Sequence, residues 1–225
     1  MAEERFVIIV AGGKGLRMGG DVPKQFQPIG GRPVLVRTLE NFHSWDSDAH
    51  MILVLPESQI DYWNELCRAH SVSVPHVVCA GGATRFDSVK NGLSCISANS
   101  GRVAVHDGVR PFVSHEVISR CFDALDSAEA VVPAVAPVES VRQIGSDGVS
   151  RAVIRDDYRL VQTPQTFRLD VLRKAYEQPY QERFTDDASV VESIGCTIKL
   201  VEGNRENIKL TTPFDLTVAQ SILKQ

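Results

Sequence analysis

The 225-residue chain carries 24 Lys and Arg against 28 Asp and Glu, a net charge of −4, and its basic residues are scattered rather than clustered. That distribution argues against a nucleic-acid-binding surface, so any phosphate the protein recognises is expected to belong to a small molecule. With 43% hydrophobic and 23% charged residues and no low-complexity tract, the composition is that of a folded chain with a sizeable core, read as a single α/β domain over residues 1–225.

The N-terminus opens with acids and its apolar run ends in glycines, so neither a signal peptide nor a membrane span is expected there and the reading is cytoplasmic. Five cysteines without a CxxC pair, and six histidines without HxH or HExxH spacing, argue against disulfides and structural zinc.

The first predicted strand, Phe6–Val10, runs into Ala11-Gly12-Gly13-Lys14-Gly15-Leu16-Arg17-Met18-Gly19-Gly20, followed by Pro23-Lys24-Gln25. Glycines at this density let successive backbone N–H groups turn together onto an anion, and Lys14, Arg17 and Lys24 add positive charge, so the segment reads as a phosphate loop. The absence of Gly-Lys-Ser/Thr excludes a Walker A loop. A dinucleotide fingerprint fits poorly, because Gly13-x-Gly15 lacks its third glycine and the next strand ends in Pro56 rather than an acid. A nucleotidyltransferase loop remains.

Strands are predicted at Met51–Leu55, Val74–Cys79, Val103–His106 and Val131–Val135, with amphipathic stretches between most of them, which means a mostly parallel, Rossmann-like sheet with flanking helices. The segment Thr84–Ile96 sets Phe86, Val89, Leu93 and Ile96 on one helical face; Ser114 caps another helix that turns Val117, Ile118, Cys121, Phe122 and Leu125 inward. Asp107 falls just past the carboxyl end of a central strand, the usual ligand edge of such a sheet, which makes it a candidate Mg²⁺ ligand, since Mg²⁺ bound with a triphosphate needs only one or two carboxylates. Its plainer reading is an ion pair with Arg110, and His106 reads as a satisfied core histidine.

The pattern then changes. Val141–Ile144 and Val149–Ile154, joined by Ser146-Asp147-Gly148, read as a hairpin arm of about residues 138–156. An isolated hairpin is marginal in water, so this one is expected to pack on something, most economically a second copy of the chain. A helix from Arg168 to Tyr176, one from Asp186, a strand Thr197–Val201 and a last helix capped by Thr212 with Pro213 at its first position complete the chain.

The fragments AGGKGLRMGGDVPKQF, GGATRFDSVKNGL, HDGVRPF, RDDYRLVQTPQTF, FTDDASVVE and EGNRENIKLTTPFDL, in this order and over essentially the whole chain, resemble the 2-C-methyl-D-erythritol 4-phosphate cytidylyltransferases of the non-mevalonate isoprenoid pathway. The resemblance implies transfer of CMP from CTP to that alcohol phosphate on a fold like that of nucleotide-diphospho-sugar transferases, with a dimerisation arm that makes the functional unit a homodimer. It puts Ala11, Gly12, Gly13 and Gly15 in the CTP loop, Arg17 and Lys24 at the positions of two transition-state-stabilising cations, and Gly82 and Ser88 at contacts to cytosine and ribose. Asp107 matches the Mg²⁺ ligand, Arg110 a substrate contact and Lys209 a lysine near the substrate phosphate. Arg155 and Ser140 match arm positions that reach the neighbouring subunit's site. Ala83 stands where some relatives carry an acid, and Ser140 where Thr is more usual.

Three alternatives stay open on sequence. A ribitol-5-phosphate cytidylyltransferase shares the AGG opening and HDGVRPF; a sugar-1-phosphate nucleotidylyltransferase shares the glycine loop but usually runs longer; a nucleotide-binding regulatory module would have no need of Arg17, Lys24, Asp107 and Lys209 together.

Overall fold

A computed structural model describes residues 3–12 and 22–224. Gly13, Lys14, Gly15 and Arg17, assigned to the phosphate loop from sequence, lie outside the described residues. In chain order the elements are β1 (Arg5–Val10), β2 (Pro28–Ile29), β3 (Arg32–Pro33), α1 (Val34–Trp45), β4 (His50–Leu55), α2 (Ile60–Ala69), β5 (Val77–Ala80), α3 (Arg85–Ser94), β6 (Arg102–Asp107), α4 (His115–Asp123) and β7 (Ala130–Val135). There follow β8 (Arg142–Ile144), β9 (Ser150–Ala152), β10 (Leu160–Val161), β11 (Gln165–Arg168), α5 (Leu169–Tyr176), α6 (Asp187–Glu192), β12 (Ile198–Glu202) and α7 (Pro213–Ile222).

The eight-stranded main sheet runs β5-β4-β1-β6-β11-β7-β12, with the short β10 also paired to β7. Pairings among β5, β4, β1 and β6 are parallel, as is β7 with β12, while β11 lies antiparallel between β6 and β7. This is the mixed α/β, mostly parallel sheet expected, with β11 reversed in its middle and β10 reversed against β7. Both faces are covered, which is why β1, β4 and β6 read as continuous apolar runs rather than alternating ones. Val7, Ile9, Leu53 and Leu55 pack with Leu39, Phe42, Trp63 and Phe122 of α1, α2 and α4 on one side. Ile8, Ile52, Val54 and Val105 pack with Phe86, Val89, Leu172 and Val191 of α3, α5 and α6 on the other.

Two boundaries and one whole strand differ from expectation for identifiable reasons. The strand placed at Val74–Cys79 starts only at Val77, because Pro75 has no N–H for the ladder and His76 turns aside to take the indole N–H of Trp63 at 3.0 Å. Asp107 is the last residue of β6 rather than the first beyond it, pairing with Val10 in register. The antiparallel strand β11 was not foreseen, because its Gln-Thr-Phe-Arg sequence carries one apolar residue and gains its place through tertiary pairing.

The expected caps at Ser114 and Thr212 form, and the expected hairpin forms with shorter strands. Thr84, Asp186 and Thr212 each close a capping box, and Ser114 accepts from the Val117 N–H. The strands β8 and β9 pair antiparallel, and the turn between them needs Gly148, whose φ of +73° few other residues adopt. No helix among the described residues is long and apolar enough to cross a membrane.

Candidate active site

The chain order reverses between β1 and β6: from β1 the sheet grows through β4 on one side and β6 on the other, so a crevice opens beyond their carboxyl ends. At that edge Val10 and Asp107 are register partners, which puts the start of the glycine loop and the aspartate side by side. The backbone there is pinned by Ala11 N–H to Val54 O at 2.9 Å, Gly81 N–H to Leu55 O at 2.7 Å and Gly108 N–H to Val10 O at 2.9 Å. A cavity of about 730 Å³ opens above it, and its wall includes Ala11, Gly12, Lys24, Gly82, Ser88, Asp107 and Lys209. Sequence separations of up to nearly the whole chain are closed here.

Gly82 sits where no side chain fits, since a Cβ would collide with Asp87; its N–H instead donates to Ser88 Oγ at 3.1 Å. That hydroxyl donates in turn to Thr84 O at 2.9 Å, so Ser88 welds the glycine turn to the start of α3. The result is a rim pinned by side-chain hydrogen bonds, with Gly82 itself exposed.

Asp107 is almost covered and surrounded by cations. Lys209 Nζ lies 2.9 Å and Arg110 Nε 3.2 Å from its Oδ2, and Arg85 Nε lies 3.8 Å from Oδ1. Burial alone would push this carboxyl up, but Arg85, Lys209 and Arg110 together hold it well below the usual carboxylate range, so it stays ionised. Oδ1 has only the longer approach of Arg85 among the described residues. One hard carboxylate oxygen facing a polar cavity fits Mg²⁺, which completes its shell with phosphate oxygens and water. Among the described residues no three His, Cys, Asp or Glu side chains form a dedicated metal cage.

Arg110 does not line the cavity: its Nη1 donates to Asn207 O at 2.7 Å while Nε holds Asp107, so its guanidinium struts the aspartate turn. His106 is fully buried. Its Nε2 meets Arg110 O at 2.9 Å and its Nδ1 meets Thr163 Oγ1 at 3.1 Å, while that hydroxyl accepts the Asp107 N–H at 3.1 Å. The consistent assignment is a neutral ring with its proton on Nε2, and burial lowers the pKa to about 4, which makes His106 the core histidine expected rather than a base. Lys209 is delivered by a loop fixed on both sides: before it Asn207 O accepts from Arg110 Nη1 at 2.7 Å, and after it Leu210 N–H donates to Val109 O at 3.0 Å while Asp215 Oδ2 accepts both the Thr211 and Thr212 N–H at 2.8 Å.

Arg155 and Ser140 are not brought to this cavity within one chain. Arg155 lies exposed at the base of the arm, donating to Val138 O at 2.6 Å, and Ser140 precedes β8 on the same arm. The arm exposes Val138, Ile144, Val149 and Ile154 at 53–70% of their surface.

Sequence reasoning missed Arg85 and Asp187, although they lie in GGATRFDSVKNGL and FTDDASVVE. Arg85 lines the cavity and forks Asp187 through two bonds, Nη1–Oδ1 at 2.9 Å and Nη2–Oδ2 at 2.6 Å, and Asp187 also accepts the Tyr176 hydroxyl at 2.7 Å. An acid in the first turn of a helix ordinarily faces water, so nothing local marks Asp187 as fully buried. The only available signal was the pair of acids, of which one was enough for the cap.

Residues 6–225 match the family model for 2-C-methyl-D-erythritol 4-phosphate cytidylyltransferase (IspD). The chain is 57% identical over 219 residues to the protein of that name from Phocaeicola vulgatus, covering 97% of this chain and 99% of that one. It is 58% identical over 219 residues to the like-named protein from Bacteroides fragilis, with the same shares covered. Its fold is similar to the crystal structure of 4-diphosphocytidyl-2C-methyl-D-erythritol synthase from Anaerococcus prevotii, with a TM-score of 0.85 and 29% identity over 99% of this chain and 97% of that chain. With the glycine loop, the Asp107 edge and nearly full-length matches in agreement, the chain belongs to the 2-C-methyl-D-erythritol 4-phosphate cytidylyltransferase family of enzymes.

Proposed function

We propose that the protein transfers CMP from CTP to 2-C-methyl-D-erythritol 4-phosphate, giving 4-diphosphocytidyl-2-C-methyl-D-erythritol and pyrophosphate for isoprenoid precursor synthesis. The observation that carries this reading is the convergence of Lys24, Asp107 and Lys209 with the Gly82–Ser88 rim around one cavity at the end of the glycine loop. A phosphate oxygen of the alcohol phosphate attacks the α-phosphorus of CTP, the bond from that phosphorus to the bridging oxygen breaks, and pyrophosphate leaves. The nucleophile is already anionic and needs no strong base; its obstacle is meeting another polyanion. Catalysis therefore rests on alignment and charge neutralisation.

In this reading Ala11, Gly12, Gly13 and Gly15 hold the triphosphate with backbone N–H groups, while Gly82 and Ser88 meet the cytosine and ribose. Arg17 and Lys24 face the charge that builds at the α-phosphorus, and Lys209 draws in the acceptor phosphate. Asp107 would hold the Mg²⁺ that accompanies a triphosphate, which supplies charge neutralisation between phosphate oxygens. The exposed apolar arm is covered by a second copy, so that Ser140 and Arg155 complete the partner's site and the unit is a homodimer. All substrates are water-soluble, and a cytoplasmic location goes with this reading.

The test is pyrophosphate release with CTP, UTP, ATP and GTP against methylerythritol phosphate, ribitol 5-phosphate and other polyol phosphates. CTP with methylerythritol phosphate should lead by at least about 10²-fold, because a wrong base leaves the rim's polar groups unpaired. Equal turnover of UTP, or preference for ribitol 5-phosphate, would overturn the assignment.

A further inference from the structure

Asp107 is held by one lysine and two arginines, with Arg110 Nε bonded to Oδ2 at 3.2 Å and Arg85 on the Oδ1 side. Lys209 reaches it through a single bond at 2.9 Å from the end of a flexible stem. Arg85 approaches through Nε at 3.8 Å while both of its terminal nitrogens are spent on Asp187, a carboxylate with no exposure to solvent. Asp187 is itself fixed, by the Tyr176 hydroxyl at 2.7 Å and by its place in the first turn of α6. Tyr176 stacks on Phe86 at 4.5 Å between ring centroids, and Phe86 is the neighbour of Arg85 at the start of α3. The chain thus clamps α3 to α6 through a forked ion pair whose carboxylate is fully buried and whose arginine is partly exposed toward the cavity, with Nε left on the side of the site's aspartate. Burying such a pair is costly, and its geometry leaves the arginine unable to swing to a phosphate without abandoning Asp187.

We propose that Arg85 is a positioning residue for the transfer reaction: anchored by Asp187 and Tyr176, it fixes the Oδ1 side of the Asp107 carboxylate while Arg110 holds Oδ2, and it stays in place when Lys209 leaves Asp107 for a substrate phosphate. The inference deepens the cytidylyltransfer reading and rests on it. A fixed partner of this kind acts on alignment at the reacting phosphorus rather than on CTP binding, so its loss falls on kcat rather than KM. Arg85→Lys keeps the charge and loses the fork.

The experiment measures kcat and KM for CTP in Arg85→Lys, alone and combined with Asp107→Asn, with single-turnover rates at excess enzyme for the slow variants and circular dichroism to check the fold. Arg85→Lys should lower kcat by about 10-fold or more with KM for CTP changed less than about 3-fold, and should cost nothing further once Asp107 is Asn, because the group it orients is then gone. The same factor lost in both backgrounds, a rise in KM with kcat intact, or unchanged kcat would overturn the proposal. Should Arg85→Lys fail to fold, Tyr176→Phe removes only the hydroxyl that steadies Asp187; it should lower kcat by about 2- to 5-fold in the wild-type background and not in Asp107→Asn, and equal losses in both would overturn the proposal. Wild-type enzyme inert toward CTP and methylerythritol phosphate would refute the cytidylyltransfer reading instead, which separates the two failures.

Discussion

Asp107 is surrounded by Arg85, Arg110 and Lys209, so replacing it by Asn leaves three cations facing a neutral amide. Asp107→Asn is expected to keep its secondary structure and lose at least about 10²-fold in kcat, since the amide is a weaker ligand for a hard cation. Full Mg²⁺-dependent turnover in that variant would return Asp107 to a plain ion pair. Lys24→Ala and Arg17→Ala are each expected to lower kcat by about 10²- to 10³-fold, the usual cost of removing one preorganised charge-stabilising donor; a rise in KM alone would make them binding residues only. At this scale the residues legible in sequence were those in dense motifs. Ala11, Gly12 and Asp107 lie at the ends of the neighbouring strands β1 and β6, so the strand pattern brings them together, while Lys24 comes from the short turn Lys24–Phe26 further along the chain. Arg85 and Asp187 escaped because they are 102 positions apart and only tertiary packing buries one against the other.

Among the elements, α7 shows how a cap serves a site from outside it. Thr212 and Asp215 form its capping box, and Asp215 also holds the Thr211 N–H, so the helix start anchors the loop that carries Lys209. Thr212→Ala is expected to lower unfolding stability by about 1 kcal/mol, read from urea denaturation, with no change in KM for CTP; an unchanged midpoint would show the cap idle. The arm makes a larger claim. If Lys24 serves its own subunit and Arg155 the partner's, mixing inactive Lys24→Ala and Arg155→Ala under exchange should restore activity at roughly a quarter of all sites, because about half the dimers are mixed and each has one intact site. A mixture that exchanges subunits, shown by tag pull-down, yet stays inactive would rule out the shared site. Capped helices and the glycine-turned hairpin were legible because their signals are local. The reversed strand β11 was not, since a strand with one apolar residue takes its identity from β6 and β7 on either side.

Across the whole molecule, two packed faces bury groups whose ionisation then ties stability to pH. Burial pushes the Cys121 thiol up to about 12. A raised pKa stabilises fully below the unfolded value, and the contribution is lost as pH rises through the folded one, here above an ordinary value of 9.0. Unfolding free energy should therefore fall by on the order of 3 kcal/mol between about pH 9 and 11 from this group, joined above an ordinary value of 10.0 by Tyr176, which burial and Asp187 raise well past that range. Cys121→Ala should flatten the alkaline slope; parallel slopes in mutant and wild type would contradict this. The transfer takes place at one phosphorus, and an isotope follows it. With ¹⁸O in the phosphate of methylerythritol 4-phosphate and unlabelled CTP, attack at the α-phosphorus should leave all label in the cytidyl diphosphate product and none in pyrophosphate. Label recovered in pyrophosphate, or no labelled diphosphate at all, would contradict it.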